Sequence, residues 1–263
     1  MRVLIYLVLL GAAVAVMWQG GRRVGQLVVV ETRGDRVSLR QWLPQEKQWR
    51  IIELPPNLML PIAQGYGTYR VGALVGLDRL EKRQGQLIVT GLQEALGMVL
   101  DGDYAHLNWW DRLKLAAVAR GRKETVKFEE VVPVARVVGP DGTQTLQISE
   151  ADMDKFSSRF LADEAVRAEG IKVTILNATG RTGLARRVAR IVTNMGLVVV
   201  KLGETDPNEK SRLLINRDKQ KSISVQKLKS LLQVERVEVG DTSEHRADAV
   251  VFIGADYGFK VGE

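Results

Sequence analysis

Cysteine is absent from the 263-residue chain, so no disulfide braces it. That permits an extracytoplasmic address without demonstrating one. Histidine is nearly absent too. His106 and His245 fall in different expected domains and have no ligand spacing around them, so each reads as structural or exposed rather than metal-binding. Aromatic residues make up 6% of the chain and are not interleaved with the basic ones, which removes the pattern of a single-strand nucleic-acid binder. There is no repeat, low-complexity tract or Pro/Ser-rich linker. The spacing Gly180-x-x-Gly183 lacks the rest of the dinucleotide fingerprint, and no acidic residue ends the next strand, expected at Leu197–Lys201. No cofactor is expected.

What is present is positive charge. A net charge of +7 and a pI near 9.7 favour acidic partners: anionic lipid headgroups, wall polymers or nucleic acid. No nucleic-acid module is visible, so no nucleic acid is expected. Residues Val3–Trp18 carry no charge, with Arg2 before them and Arg22-Arg23 after. The run is somewhat short for a spanning helix of about 20 residues, but the Gln-Gly-Gly flank extends it and Trp18 suits an interface. An uncleaved transmembrane helix is favoured over a signal cleaved after Ala13-Val14-Ala15, because Val16-Met17-Trp18 continues the apolar run. A buried core helix is the remaining alternative. The flanking charges do not set the orientation.

The most informative stretch is Ile171–Ala185. Val173 and Ile175 alternate with Lys172 and Thr174, a strand pattern running into Asn177. Asn177 and Gly180 suit a turn, and Thr182 is placed to cap a helix opening at Thr182 or Gly183. Leu184, Val188, Ile191, Val192 and Met195 form one apolar stripe, Gly196 stops it, and Arg186, Arg187 and Arg190 fall on the other face. Free N–H groups and nearby arginines would suit a phosphate or carboxylate; a capped helix with a solvated basic face explains the same residues. Asn177, Gly180, Arg181, Thr182 and Gly183 are the candidate ligand-binding residues here. Further on, Leu197–Val200 reads as a buried strand and Ser211–Asn216 as another. Ser224 is expected to cap a helix, Val234–Val239 is strand-like, and Ala249–Gly254 is a final buried strand. Strands alternating with helices predict an α/β sandwich.

In the first half, Leu27–Thr32 and Arg36–Trp42 predict a hairpin through Arg33-Gly34-Asp35, and Trp49–Leu54 a third strand stopped by Pro55-Pro56. Gln64–Val71 reads as a loop, Gln84–Leu96 as a helix ended by Gly97, Tyr104–Leu107 as a strand, and Asn108–Ala119 as a helix. Asp101, Asp103 and Asp111 cluster near a loop, where solvation and capping explain them better than a cation. Val131–Val138 and Gln144–Ile148 predict a hairpin around Pro140-Asp141-Gly142. One linking helix is expected from Glu150, capped by Ser149, to about Arg167, with Glu169-Gly170 ending it.

The segment VTILNATGRTGLARRVARIVTNMGLVVV and the closing ADAVVFIGADYG resemble the LytR C-terminal domain, a small α/β domain of bacterial cell-envelope proteins; Ala178 stands where that family has Gly. The order of elements at 49–77 and 92–109 is similar to the front of a LytR-CpsA-Psr domain. That family's enzymes move glycopolymer from a polyprenyl-pyrophosphate carrier to peptidoglycan. Pro55-Pro56-Asn57 replaces the Pro-Arg-Asp of that family, Gly25-Gln26 replaces its Asp, and only Arg70 has an obvious counterpart among its basic residues. Phosphoryl transfer depends on such groups.

The expected architecture is therefore α/β: an anchor or signal at 1–23, a degenerate LytR-CpsA-Psr-like mixed α/β domain at 24–128, a hairpin and linking helix at 129–168, and a LytR C-terminal domain at 169–259. The resemblance implies a single-pass protein of the cytoplasmic membrane with both domains outside. It would have a non-catalytic binding or scaffolding role in wall assembly, contacting wall polymer or an envelope protein, with a polyprenyl lipid as a further candidate partner. An active glycopolymer transferase built around Arg70, and a nucleic-acid-binding regulator, are the alternatives.

Overall fold

In the computed structural model, described for residues 26–62, 67–107, 115, 121–208, 210–234 and 237–257, two mixed five-stranded sheets carry the chain. The apolar segment 3–18, Asp111 and the helix expected from Asn108 to Ala119 (apart from Leu115, which is helical) lie outside the described residues. No helix among the described residues is long and apolar enough to cross a membrane.

The first sheet has strand order β6-β1-β2-β3-β7. Its centre is β1 (Leu27–Arg33), β2 (Arg36–Leu43) and β3 (Gln48–Leu54), all antiparallel, with Arg33 facing Arg36 across the Gly34-Asp35 turn. Pro55 and Pro56 end β3, since neither can donate to a ladder. Val28, Val30, Leu39 and Ile52 face the core, where Leu74, Leu87 and Leu92 cover them. Burial of each such side chain contributes about 1.5–3 kcal/mol. On the opposite face Trp42 and Trp49 pack with ring centroids 5.4 Å apart, against Leu115.

Several expectations change here. The stretch read as a loop contains part of a hairpin, β4 (Met59–Ile62) with β5 (Gly67–Arg70), followed directly by helix α1 (Val71–Leu80). Helix α2 (Gln86–Leu96) ends at left-handed Gly97 as read. Residues 104–106 form a 3₁₀ turn rather than a strand; the strand is the two-residue β6 (Gly102–Asp103), with Asp103 accepting from the Ala105 N–H. Strand β7 (Arg122–Lys127) pairs in parallel with β3 and was not foreseen, because its exposed, largely charged sequence carries no apolar alternation.

A short helix α3 (Phe128–Val131) leads to the hairpin β8 (Ala135–Val138) and β9 (Gln144–Gln147), as expected. The linking helix is not continuous. Ser149 caps α4 (Glu150–Phe156), a π-helical turn covers Ser157–Leu161, the backbone is extended at Ala162, and Asp163 caps a second helix, α5 (Glu164–Glu169). The apolar spacing that suggested one helix survives because both pieces pack on one core. Phe156 sits edge-on to Phe128 at 5.0 Å and stacks on Phe160 at 5.6 Å.

The second sheet has order β11-β10-β14-β12-β13. Strands β10 (Lys172–Asn177) and β14 (Ala249–Ile253) are central and parallel; β12 (Arg212–Ile215) runs antiparallel to β14. Helices α6 (Leu184–Asn194) and α7 (Ile223–Leu232) cover the face carrying Val173, Ile175, Leu213 and Val251. On the other face Arg212 lies over the Phe252 ring at 4.0 Å and the Thr174 hydroxyl donates to the His245 carbonyl, so a cation and a loop stand where a second helical layer would be. The strand read as buried, β11 (Val198–Glu204), is an edge strand with Val198, Val200 and Leu202 exposed, and it ends on an acidic residue, Glu204. Ser222, not Ser224, caps α7. The strand read at Val234–Val239 is found as β13 (Val237–Val239), with residues 235 and 236 outside the described residues.

The two halves share one apolar core, through which Leu96, Met153, Phe156, Val188 and Ile191 run continuously. Polar contacts add to it. Lys227 on α7 donates to both Asp101 oxygens (3.0 and 3.2 Å) and to the Gln26 carbonyl, which is how Asp101 of the acidic cluster is neutralised.

Candidate binding cleft between the halves

The turn after β10 is organised by one buried side chain. Asn177 is buried, its Oδ1 accepts from the Thr179 N–H (3.1 Å) and hydroxyl (2.7 Å), and its Nδ2 donates to the Arg181 carbonyl at 2.9 Å. Thr179 Oγ1 in turn accepts from the Arg181 N–H at 3.0 Å. These bonds hold the turn in shape from within. Gly180 (φ +70°) and Gly183 (φ +82°) are left-handed with open space around them, so conformation and not crowding requires glycine. Thr182 does not cap α6. The capping position is Gly183, which has no side chain to do it.

The basic face of the helix that follows is solvated only in part: Arg186 and Arg187 are exposed and Arg190 is not. Arg190 donates Nε to Asp154 at 2.6 Å and its two terminal nitrogens to the carbonyls of Glu94 and Ala95 (3.0 and 3.1 Å). It also pairs with Glu150 at 3.1 Å. A cation is favoured at the last carbonyls of a helix, and here it joins the Gly97 N–H, which reaches the Glu94 carbonyl at 3.2 Å. Asn194 adds a 2.8 Å bond to the same Asp154 oxygen. Arg187 makes only one such contact, with Glu94 at 3.0 Å, and its side chain is 56% exposed against 19% for Arg190. An exposed pair of that kind is worth about 0–1 kcal/mol, so Arg187 can exchange its partner at little cost, whereas Arg190 is fixed.

Between α2, the start of α4 and α6 lies a cleft of about 410 Å³. Arg181, Arg187 and Arg190 lie on its C-terminal wall, Glu94 and Glu150 face them, and Leu60, Ile148, Leu184 and Ile191 supply an apolar lining. Asp256 also lines it, but Oδ1 is occupied by the Ser211 N–H and hydroxyl, both at 2.6 Å. Burial pushes the Tyr257 phenol up to about 12, the Glu94 carboxylate adds to this, and Arg187 opposes it. The tyrosine therefore enters the cleft as a neutral hydrogen-bonding group.

Of the six residues expected to bind a ligand, the cleft gathers Arg181 alone, exposed at its rim. Asn177, Gly180, Thr182 and Gly183 build the turn that presents it. Arg70 is exposed at the end of β5, just before α1, and is not part of the cleft; behind the Thr143 hydrogen bonds, its charge helps to hold the Asp141 carboxyl below its ordinary value. Arg187, Arg190, Glu94 and Asp154 were not read as a set. Their partners lie 36 to 96 residues away, and no local pattern encodes such a pairing. Among the described residues no group of three His, Asp or Glu side chains could hold a metal ion.

Residues 170–257 match the family model described as LytR cell envelope-related transcriptional attenuator. No curated protein matches the chain. Among solved structures the chain is similar to TagT of B. subtilis, at a TM-score of 0.37 and 10% identity over 50% of this chain and 88% of that one. It is similar to a LytR-CPS2A-psr family protein, YwtF (TagT), with bound octaprenyl pyrophosphate lipid, at 0.39 and 9% over 51% and 88%. A transcriptional regulator from Enterococcus faecalis gives 0.36 and 8% over 50% and 84%. Likeness of this degree does not assign the first half a fold family or a chemistry.

Proposed function

We propose, starting from the LytR C-terminal domain that residues 170–257 form, that the chain is a bacterial cell-envelope protein that binds an anionic wall polymer without transforming it. Residues 3–18 anchor it in the cytoplasmic membrane and both halves lie outside. The boundaries are those of an anchor at 1–23, a first α/β domain at 24–128, a linking segment at 129–168 and the C-terminal domain at 169–259. The observation that carries the reading is the inter-half cleft. It sets a replaceable arginine, Arg187, and an exposed one, Arg181, beside apolar walls, which suits a chain of spaced negative charges on a carbon backbone. The turn and the helix that supply both arginines belong to the matched region.

Full-length protein in detergent, sedimented with purified wall sacculi, tests this. Binding is expected above that of an unrelated basic protein of equal charge, and Arg181→Glu together with Arg187→Glu is expected to weaken it at least roughly tenfold. Equal pelleting of the charge-matched control overturns the reading. Protease accessibility of the chain on intact spheroplasts tests the compartment separately.

A further inference from the structure

A second cavity, in the first half, holds an oriented imidazole that the inter-half cleft does not use. It measures about 380 Å³ and is lined by Asp78, Arg79, Lys82, Asp103 and His106, with Thr32 from the end of β1. His106 Nδ1 lies 2.7 Å from Asp103 Oδ2; the aspartate is buried, while half of the imidazole is exposed. A carboxylate on one ring nitrogen fixes the ring and leaves Nε2 as the outward nitrogen.

The backbone beside this pair is held in an uncommon conformation. Lys82 (φ +53°), Gln84 (φ +52°) and Gly85 (φ +84°) are all left-handed, and two of the three are not glycine. Such residues persist where the surrounding structure over-determines them, and they cluster at binding sites. Here the constraint is visible. A Cβ on Gly85 would stand 2.3 Å from Asp103 Oδ2 and 3.1 Å from His106 Nδ1, so the loop lets the pair approach. Asp78 locks the same loop from α1, accepting from the Gly85 N–H at 2.7 Å and the Leu87 N–H at 3.0 Å.

The charge balance points to the ligand. Asp78 and Asp103 carry two negative charges, Arg79 and Lys82 two positive ones, so the lining is neutral with neutral His106 and +1 with the imidazolium. Both carboxylates already face donors, whereas the two cations stand exposed. Glu31 and Arg40, beside the neighbouring Tyr104 ring, pair with each other at 2.6 Å. We propose that this cavity binds a small oxyanion of the phosphate class, with His106, Lys82 and Arg79 as the side chains that face it.

The chain's two histidines make the test direct. Full-length protein in detergent, with labelled histidine, is titrated with inorganic phosphate at constant ionic strength and followed by NMR of the imidazole signals. Saturable displacement of the His106 signals is expected, with those of His245 unmoved. Lys82→Gln and Arg79→Gln, both at exposed positions, are each expected to weaken binding by roughly tenfold. An unmoved His106, equal displacement of both histidines, or displacement that survives both substitutions overturns the proposal. None of these outcomes depends on the inter-half cleft, so the two sites stand or fall separately.

Discussion

The Arg190 guanidinium on α6 meets the Asp154 carboxylate on α4 at 2.6 Å, and this pair joins the C-terminal domain to the segment that leads into it. Arg190 also bonds two carbonyls at the end of α2, so three elements share one side chain. Arg190→Met should therefore destabilise the chain by about 2 kcal/mol, between the value of an exposed pair and that of a fully buried one. Urea unfolding measures it, and a cycle with Asp154→Asn should show coupling of about 1 kcal/mol. A loss below about 0.5 kcal/mol would mean that solvent replaces the clamp.

The C-terminal domain was legible because its signals are local. A strand, a glycine turn, an amphipathic helix and a final apolar strand each sit within about 15 residues, and the positions of β10, α6 and β14 follow from them. The exposed β11 shows where that fails. Val198-Val199-Val200 is as apolar as a buried strand, and only sheet order, a non-local property, puts it at an edge. The cleft failed for the same reason. Arg187 and Arg190 looked outward on a helix considered alone, and the surface they face is α2 and α4, far away in the chain. Thr182 failed differently. It is a good capping residue one position too early, and a left-handed glycine took the place.

Gly254, which ends the last strand, leaves no room for a side chain. A Cβ there would stand 2.2 Å from the Lys210 carbonyl carbon and 2.4 Å from the Ser211 nitrogen, and backbone atoms cannot swing aside. The Gly254 N–H also donates to Ser211 Oγ at 3.0 Å. Gly254→Ala should cost about 3 kcal/mol or leave the domain unfolded. Gly180→Ala is the control, with φ +70° but open space around it, and should cost about 1 kcal/mol. Thermal unfolding of the two variants should separate crowding from conformation; equal losses would refute the crowding argument.

Glu169 reaches from the end of α5 to the start of α7. Its carboxylate accepts from the N–H groups of Ile223 and Ser224, both at 2.8 Å, and from the Ser224 hydroxyl at 2.5 Å. Burial works to raise its pKa, but the Ser224 and Ile223 hydrogen bonds outweigh this and leave the carboxyl below its ordinary value of 4.5. A group with a lowered folded pKa stabilises fully above its unfolded value and loses that contribution as pH falls through the folded one. Glu169→Gln should cost about 1 kcal/mol at pH 7, as for loss of a helix cap. The gap between variant and native chain should close below pH 4.5, and a gap constant down to pH 3 would contradict the assignment.

Asp163 has the opposite sign. Its Oδ1 accepts from the Ala165 N–H at 3.0 Å as the cap of α5, but Oδ2 is buried with no hydrogen-bond partner among the described residues. Burial raises its pKa above 3.8; the Ala165 bond and the Lys227 charge oppose the rise, and Asp101 adds to it. Because the folded state holds this proton more tightly than the unfolded chain does, stability is greatest while the group is protonated. It falls as pH rises from 3.8 through the raised folded value, then stays level. Asp163→Asn keeps an oxygen for the Ala165 N–H and carries no charge, so it should remove that decline and leave the chain at least as stable as the native one at pH 7. Urea midpoints measured from pH 4 to pH 8 decide the matter. An Asn variant markedly weaker than the native chain across that range would show that the Asp163 charge is held by Lys227 strongly enough to offset its burial.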